Sequence, residues 1–207
     1  MVITLIGMSG SGKSSWSKRL AKIGFRRICC DDLIENKLGP ILKKQGYKGI
    51  KDVACWMGQP FEPFSPKNQA IYLSLEIQVF TEIINRLKKG LSGNWVIDTT
   101  GSAVYAGEKI CSELNKYSVV AHLETPFGIR KKMFQKYMTN PKPVVWQKLF
   151  SKKKNETNWQ ALRRCYPKLL ASREKLYKKY STVSLPYKTR TRKGFSEKEF
   201  MDFLRLP

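Results

Sequence analysis

Apolar and polar positions along the chain alternate between short β-branched runs and longer amphipathic stretches. Residues 2–6 (VITLI) are an apolar run ending at Gly7, which suits a buried strand better than a helix. From Lys13 the apolar spacing changes to three and four, through Trp16, Leu20 and Ile23, and Gly24 stands where a C-cap glycine would. Residues 25–30 predict a second strand. Asp31 and Asp32 then open a short helix that Gly39 and Pro40 are expected to stop. Residues 40–66 show no firm periodicity, whereas residues 65–89 carry an apolar stripe of Ile71, Leu75, Val79, Ile83 and Leu87, closed by Gly90.

The alternation continues toward the C-terminus. Residues 94–97 predict a strand running into Asp98, Thr99, Thr100 and Gly101, followed by a helix over 104–116 and a strand over 118–123. A basic, aromatic stretch reaches to about residue 155, before a helix over 158–180, a short strand over 182–185 and a last helix from Ser196. Strands and helices alternating at this spacing imply right-handed crossovers and an α/β fold: a parallel sheet of about five strands with helices on both faces. At 207 residues the expectation is one domain, with a core of 1–124 and 156–207 and a basic lid at about 125–155.

The first glycine loop carries the chemistry. Gly7, Gly12, Lys13 and Ser14 satisfy G-x-x-x-x-G-K-[ST], with a predicted strand before the pattern and a predicted helix after it. Such a phosphate-binding loop curls its backbone N–H groups around a phosphate while the helix N-terminus adds the positive end of its dipole. Gly7, Ser9, Gly10, Ser11, Gly12, Lys13, Ser14 and Ser15 are therefore the candidate nucleotide cradle. Lys13 would reach the β- and γ-phosphates of ATP, and Ser14 would ligate Mg²⁺.

Phosphoryl transfer to a hydroxyl also needs a carboxylate for the acceptor, a metal bridging the phosphates, and cations for the charge that develops. Asp31 and Asp32 follow the second strand, and the carboxyl end of a strand beside such a loop is where ligands sit in open parallel sheets. One is the candidate base and the other a candidate metal partner through water; a helix start also favours acids in its first turn. Asp98 ends the third strand and is a further candidate metal partner.

In layout the chain resembles the shikimate kinases and related small-metabolite kinases of the P-loop class over most of its length. GMSGSGKSS looks like their phosphate-binding loop, CDDLIE resembles their acidic motif, and VIDTTGSAV falls where they carry a glycine-rich substrate loop. NPKPVV resembles their lid segment, and LLASREKLYKKYS is similar to the helix whose arginine contacts substrate. The resemblance implies a three-layer kinase fold using ATP and Mg²⁺. It also implies Asp31 or Asp32 as hydroxyl partner, Thr100 and Gly101 in the substrate loop, Lys142 as a catalytic lid cation and Arg173 facing substrate. Thr100 and Ser102 stand where the family prefers glycine, Lys142 stands for the lid arginine, and no arginine occurs between Arg27 and Arg86. These positions hold the chain away from shikimate itself, and Arg130, Arg163 or Arg164 are alternative sources of the lid charge.

Composition sets the remaining bounds. No apolar run approaches the roughly 18 residues of a spanning helix, and the five cysteines show no CxxC spacing, so neither a disulfide framework nor a zinc site is indicated. Reduced thiols and the absence of a leader-like start predict a cytoplasmic monomer without a membrane partner. The formal charge is +23, and residues 130–193 hold 20 Lys or Arg against Glu156 and Glu174, a local balance of +18. Such a field attracts nucleotides, phosphorylated metabolites and nucleic acid alike, or is a solvated lysine-rich surface. The leading expectation is a kinase for a small-metabolite hydroxyl. Alternatives are a nucleoside or polynucleotide kinase, and a non-catalytic nucleotide- or nucleic-acid-binding protein. His122 is expected to be packed. Trp146, Phe150 and Trp159 are expected either to stack a base or to pack the lid.

Overall fold

A computed structural model describes residues 1–47, 49–140 and 142–205, with the side chains of 49–51 left aside. Pro141 of the NPKPVV segment lies outside the described residues. Five strands, β1 (Val2–Ile6), β2 (Arg26–Cys29), β3 (Trp95–Asp98), β4 (Val119–Leu123) and β5 (Val183–Leu185), form one sheet in the order β2-β3-β1-β4-β5. Every pairing is parallel; Leu5 lies opposite Asp98 on one side and Ala121 on the other.

Side chains alternate across this sheet, as the pleat requires. Ile3 and Leu5 of β1, Val96 of β3 and Ala121 and Leu123 of β4 face one core, shared with α1 (Lys13–Lys22) and α9 (Glu197–Leu204). Trp16 of α1 stacks on Phe200 of α9 with ring centroids 4.5 Å apart. Ile6, Ile97 and Val120 face the other, larger core, built with α2 (Cys30–Lys44), α3 (Gly49–Met57), α4 (Ser65–Lys88), α5 (Glu108–Tyr117), α6 (Phe127–Thr139) and α7 (Asn158–Tyr180). Helices thus cover both faces, giving the expected three-layer α/β architecture.

Four features differ from the sequence expectation, the first being that the basic stretch after Pro126 opens with a helix, α6. The helix after Asp32 does not stop at Gly39 and Pro40 but runs through them to Lys44. Ile34, Leu38 and Leu42 recur every four residues and are buried, while Pro40 and Asn36, whose carbonyl a helical residue 40 would otherwise engage, are both exposed. Water can serve that carbonyl, and burial of the stripe outweighs the lost bond. Residues 40–66, unassigned from sequence, contain α3, whose Val53, Trp56 and Met57 are buried. A short helix α8 (Tyr187–Thr191) follows β5. Among the described residues no helix is long and apolar enough to cross a membrane.

Candidate active site

The β1–α1 turn has the backbone that the glycines permit. Gly7, Gly10 and Gly12 take φ values of 144°, 80° and 100°, open to glycine and strained for other residues. A Cβ on Gly7 would come within 2.9 Å of both Leu123 O and Ser11 Oγ, so the loop closes directly against the end of β4. Lys13 opens α1 and folds back, donating from Nζ to Gly7 O at 2.8 Å and Met8 O at 3.1 Å. Its burial lowers its pKa below the ordinary lysine value.

A cleft of about 300 Å³ opens over this loop. Ser9, Gly10, Gly12, Lys13, Ser14 and Ser15 line its near side, and Asp31, Tyr72, Thr100, Gly101, Ser102 and Lys142 are among the residues lining the rest. Asp31 and Asp32, ambiguous by sequence, separate here: Asp31 lines the cleft and Asp32 is exposed outside it. Burial pushes the Asp31 carboxyl up to about 6; the charge of Lys13 opposes that rise and the like charges of Asp98 and Asp32 add to it. Asp98 is almost fully buried at the end of β3. Its Oδ2 accepts from Ser17 Oγ at 3.0 Å and from Arg27 Nη2 at 2.6 Å, and its Oδ1 has no partner among the described residues.

The loop after β3 is held rigidly. Thr99 Oγ1 donates to Leu5 O at 2.7 Å, and Tyr177 of α7 donates from its hydroxyl to Gly101 O at 2.6 Å. Gly101 needs no side chain, since a Cβ there would lie 3.1 Å from Ser9 N. Behind the loop stands Glu76 of α4, fully buried, whose Oε1 accepts from the hydroxyls of Thr100 and Ser102. Burial pushes its carboxyl up to about 7.

Glu76 was not singled out from sequence. The predicted stripe on α4 began at Ile71 and Leu75, but those two are only partly buried, and Gln69, Tyr72 and Glu76 take the inner face ahead of Val79. The available signal was a carboxylate one turn from an aromatic and in helical register with Val79 and Ile83. Arg190 of α8 was likewise missed. Its Nη2 donates to Glu124 O at 2.6 Å and its Nη1 would lie 3.9 Å from a Cβ on Gly12.

Arg173 is near the site but does not line the cleft. It lies behind Gly101, 3.4 Å from where a Cβ would be, donates to Val145 O at 2.8 Å and stands 5.2 Å over the Tyr105 ring. The alternative lid cations are engaged elsewhere. Arg130 pairs with Glu174 at 3.0 Å, Arg164 pairs with Glu156 at 2.6 Å, and Arg163 lines a groove between α6 and α7. His122 is packed: fully buried, stacked on Tyr177 at 5.3 Å, its pKa pressed down to about 4 by burial and nearby cations. Trp146 is buried among Tyr137, Phe150 and Tyr166. The half-exposed Trp159 packs edge-on against Phe61 at 5.3 Å.

No protein-family model matches the sequence, and no curated protein sequence matches it. Solved structures do resemble it. A shikimate kinase from Bacteroides thetaiotaomicron superposes with a TM-score of 0.62 at 16% identity, covering 100% of this chain and 99% of that one. The shikimate kinase of Acinetobacter baumannii in complex with shikimate gives 0.58 at 21% identity, over 99% of this chain and 90% of that one. The shikimate kinase of Aquifex aeolicus gives 0.54 at 19%, over 99% and 92%. With the sheet order, the loop and the cleft described, the chain has the shikimate kinase-like P-loop kinase fold.

Proposed function

We propose that this protein is an ATP- and Mg²⁺-dependent phosphotransferase that carries the γ-phosphate to a hydroxyl of a small metabolite. The carrying observation is that Lys13 and Ser14 of the phosphate loop and the carboxyl of Asp31 line one cleft of about 300 Å³. A nucleotide-binding role alone would not call for a half-buried acid with a raised pKa on the same cleft as the loop.

The residues fit the nucleotide and the metal. Three positive-φ glycines shape a cradle at a helix N-terminus, and the buried Ser11 Oγ has no partner among the described residues. Ser14 stands exposed on the cleft, and Asp98 keeps one oxygen unpartnered behind Ser17; oxygen donors of this kind suit Mg²⁺, and leave Asp31 free for the acceptor. Bound there, Mg²⁺ would neutralise charge between the β- and γ-phosphates.

Asp31 orients the acceptor hydroxyl and takes its proton as the oxygen bonds to the γ-phosphorus and ADP departs. A pKa of about 6 keeps it mostly ionised at neutral pH yet basic enough to hold a proton. Lys13 and Lys142 balance the charge spreading over the transferred group. Residues 125–155 act as the lid: α6 and the segment after it bring Lys142 and Pro143 to the cleft mouth, where closure excludes water and suppresses hydrolysis.

The test is ³¹P NMR of ATP with Mg²⁺ and a panel of sugars, polyols, cyclitols, hydroxy acids and nucleosides. A new phosphomonoester resonance formed with ADP is expected for at least one acceptor. ADP and free phosphate alone across the whole panel would rule the proposal out.

A further inference from the structure

The wall of the cleft formed by Thr100 and Ser102 has a polarity set from behind. Each hydroxyl has one proton, and both Thr100 and Ser102 donate theirs to Oε1 of Glu76, Ser102 at 3.1 Å. What these side chains can turn toward the cleft is therefore lone pairs. The backbone N–H of Ser102 is already used, donating to Thr100 Oγ1 at 3.1 Å. Tyr72, one turn before Glu76 on α4, lines the same cleft.

We propose that Glu76 sets the acceptor class of this cleft, selecting a neutral polyhydroxylated molecule that donates its own O–H groups and disfavouring one that carries a carboxylate. The inference rests on the phosphotransferase reading for the location of the acceptor and deepens it. A carboxylate has only lone pairs to offer, and against this wall it would face two acceptor oxygens backed by a buried acid, with Asp31 also on the cleft. A sugar or cyclitol hydroxyl would complete the pattern that Glu76 imposes. Oε1 accepts in either protonation state, because Oε2, buried and without a partner among the described residues, is free to carry the proton.

Planar recognition of a carboxylate calls for a guanidinium fork, and among the described residues no arginine lines the cleft. Arg173, nearest to the substrate loop, is screened by Gly101 and spends its Nη2 on Val145 O. The cations that do line the cleft, Lys13 and Lys142, carry the phosphate role already proposed for them.

The experiment compares matched pairs that differ only at a carboxylate: gluconate with sorbitol, glucuronate with glucose, and shikimate with its carboxyl-reduced alcohol. Binding is measured by calorimetry in the presence of Mg²⁺ and a nonhydrolysable ATP analogue, and turnover separately with ATP. At least one alcohol member is expected to bind tenfold or more tightly than its acid. Glu76→Leu, which removes the acceptor oxygen and frees both hydroxyl protons to turn toward the cleft, should narrow that ratio to threefold or less with the nucleotide Kd unchanged, whereas Glu76→Gln, which keeps an acceptor oxygen, should hold it above threefold. Acid members binding as well as or better than alcohols, a ratio unmoved in folded Glu76→Leu, or no binding by any pair would each overturn the inference. Should Glu76→Leu not fold, Thr100→Val combined with Ser102→Ala, which removes both acceptor oxygens from the wall, should narrow the ratio instead, and an unmoved ratio there would overturn the inference. Selective binding of alcohols without turnover would sink the phosphotransferase reading and leave the role of Glu76 standing; turnover that favours acids would do the reverse.

Discussion

Lys13 and Asp31 depart from their ordinary pKa values chiefly through the same cause: desolvation by burial disfavours the charged form of each. For Asp31 this has a kinetic consequence. With a folded pKa of about 6, its base form is lost as pH falls, so kcat/KM should drop about tenfold per pH unit below that value and level off above it. A rate profile flat from pH 5 to 8 would remove Asp31 from the proton transfer. A second consequence concerns stability. Asp31 and Glu76 both have folded pKa values raised above their ordinary 3.8 and 4.5, to about 6 and about 7. Their contributions are therefore fully present below about pH 4 and are lost as pH rises through 6 and 7. Glu76→Gln, which cannot ionise, should raise Tm at pH 8 by roughly 3 °C or more and leave it nearly unchanged at pH 4. Thermal unfolding at the two pH values reads this directly, and an equal shift at both would contradict it.

At the level of elements, what was legible in the sequence followed from local rules. The loop at residues 7–15 is written in glycines whose positive φ only they adopt readily, and the strand before it and helix after it form where the apolar period changes. The end of α2 and the inner face of the first turns of α4 differ from the sequence expectation because tertiary burial decides them, although α4 itself begins at Ser65 as its Ser65-Pro66 start predicts. Leu42 draws α2 through Pro40, and a polar pair, Gln69 and Glu76, takes inner positions on α4 that an apolar stripe cannot reveal. Asp31 could be told from Asp32 only once β2 ended at Cys29 and α2 began at Cys30, which sets the rotation of that first turn. The segment after α6 shows the same dependence. Lys142 reaches the cleft because Val144, Val145 and Trp146 just beyond it are buried, with Trp146 N donating to Gln69 Oε1 at 2.6 Å. Trp146→Ala should cost about 3–5 kcal/mol in denaturant unfolding and lower kcat through loss of Lys142 positioning. A loss of stability below about 1 kcal/mol would show the segment to be anchored elsewhere.

Over the whole molecule the +23 charge acts at longer range than any of these contacts. It raises the local concentration of nucleotide, and the effect is screened by salt, so KM for ATP should rise several-fold between about 50 and 200 mM salt. A neutral acceptor should show little change over that interval, whereas a polynucleotide acceptor would lose affinity by orders of magnitude. Steady-state kinetics at two salt concentrations therefore sorts acceptors by charge and tests whether the basic 130–193 segment takes part in binding them. The proposed transfer depends on Asp31 sharing one cleft with the phosphate loop. Its most direct measurement is the single-turnover rate of phosphoryl transfer by Asp31→Asn, with nucleotide affinity measured on the same preparation. The expected result is a rate lower by about 100-fold or more with the ATP Kd within a factor of two of the parent. Full transfer by a variant that binds ATP normally would contradict it.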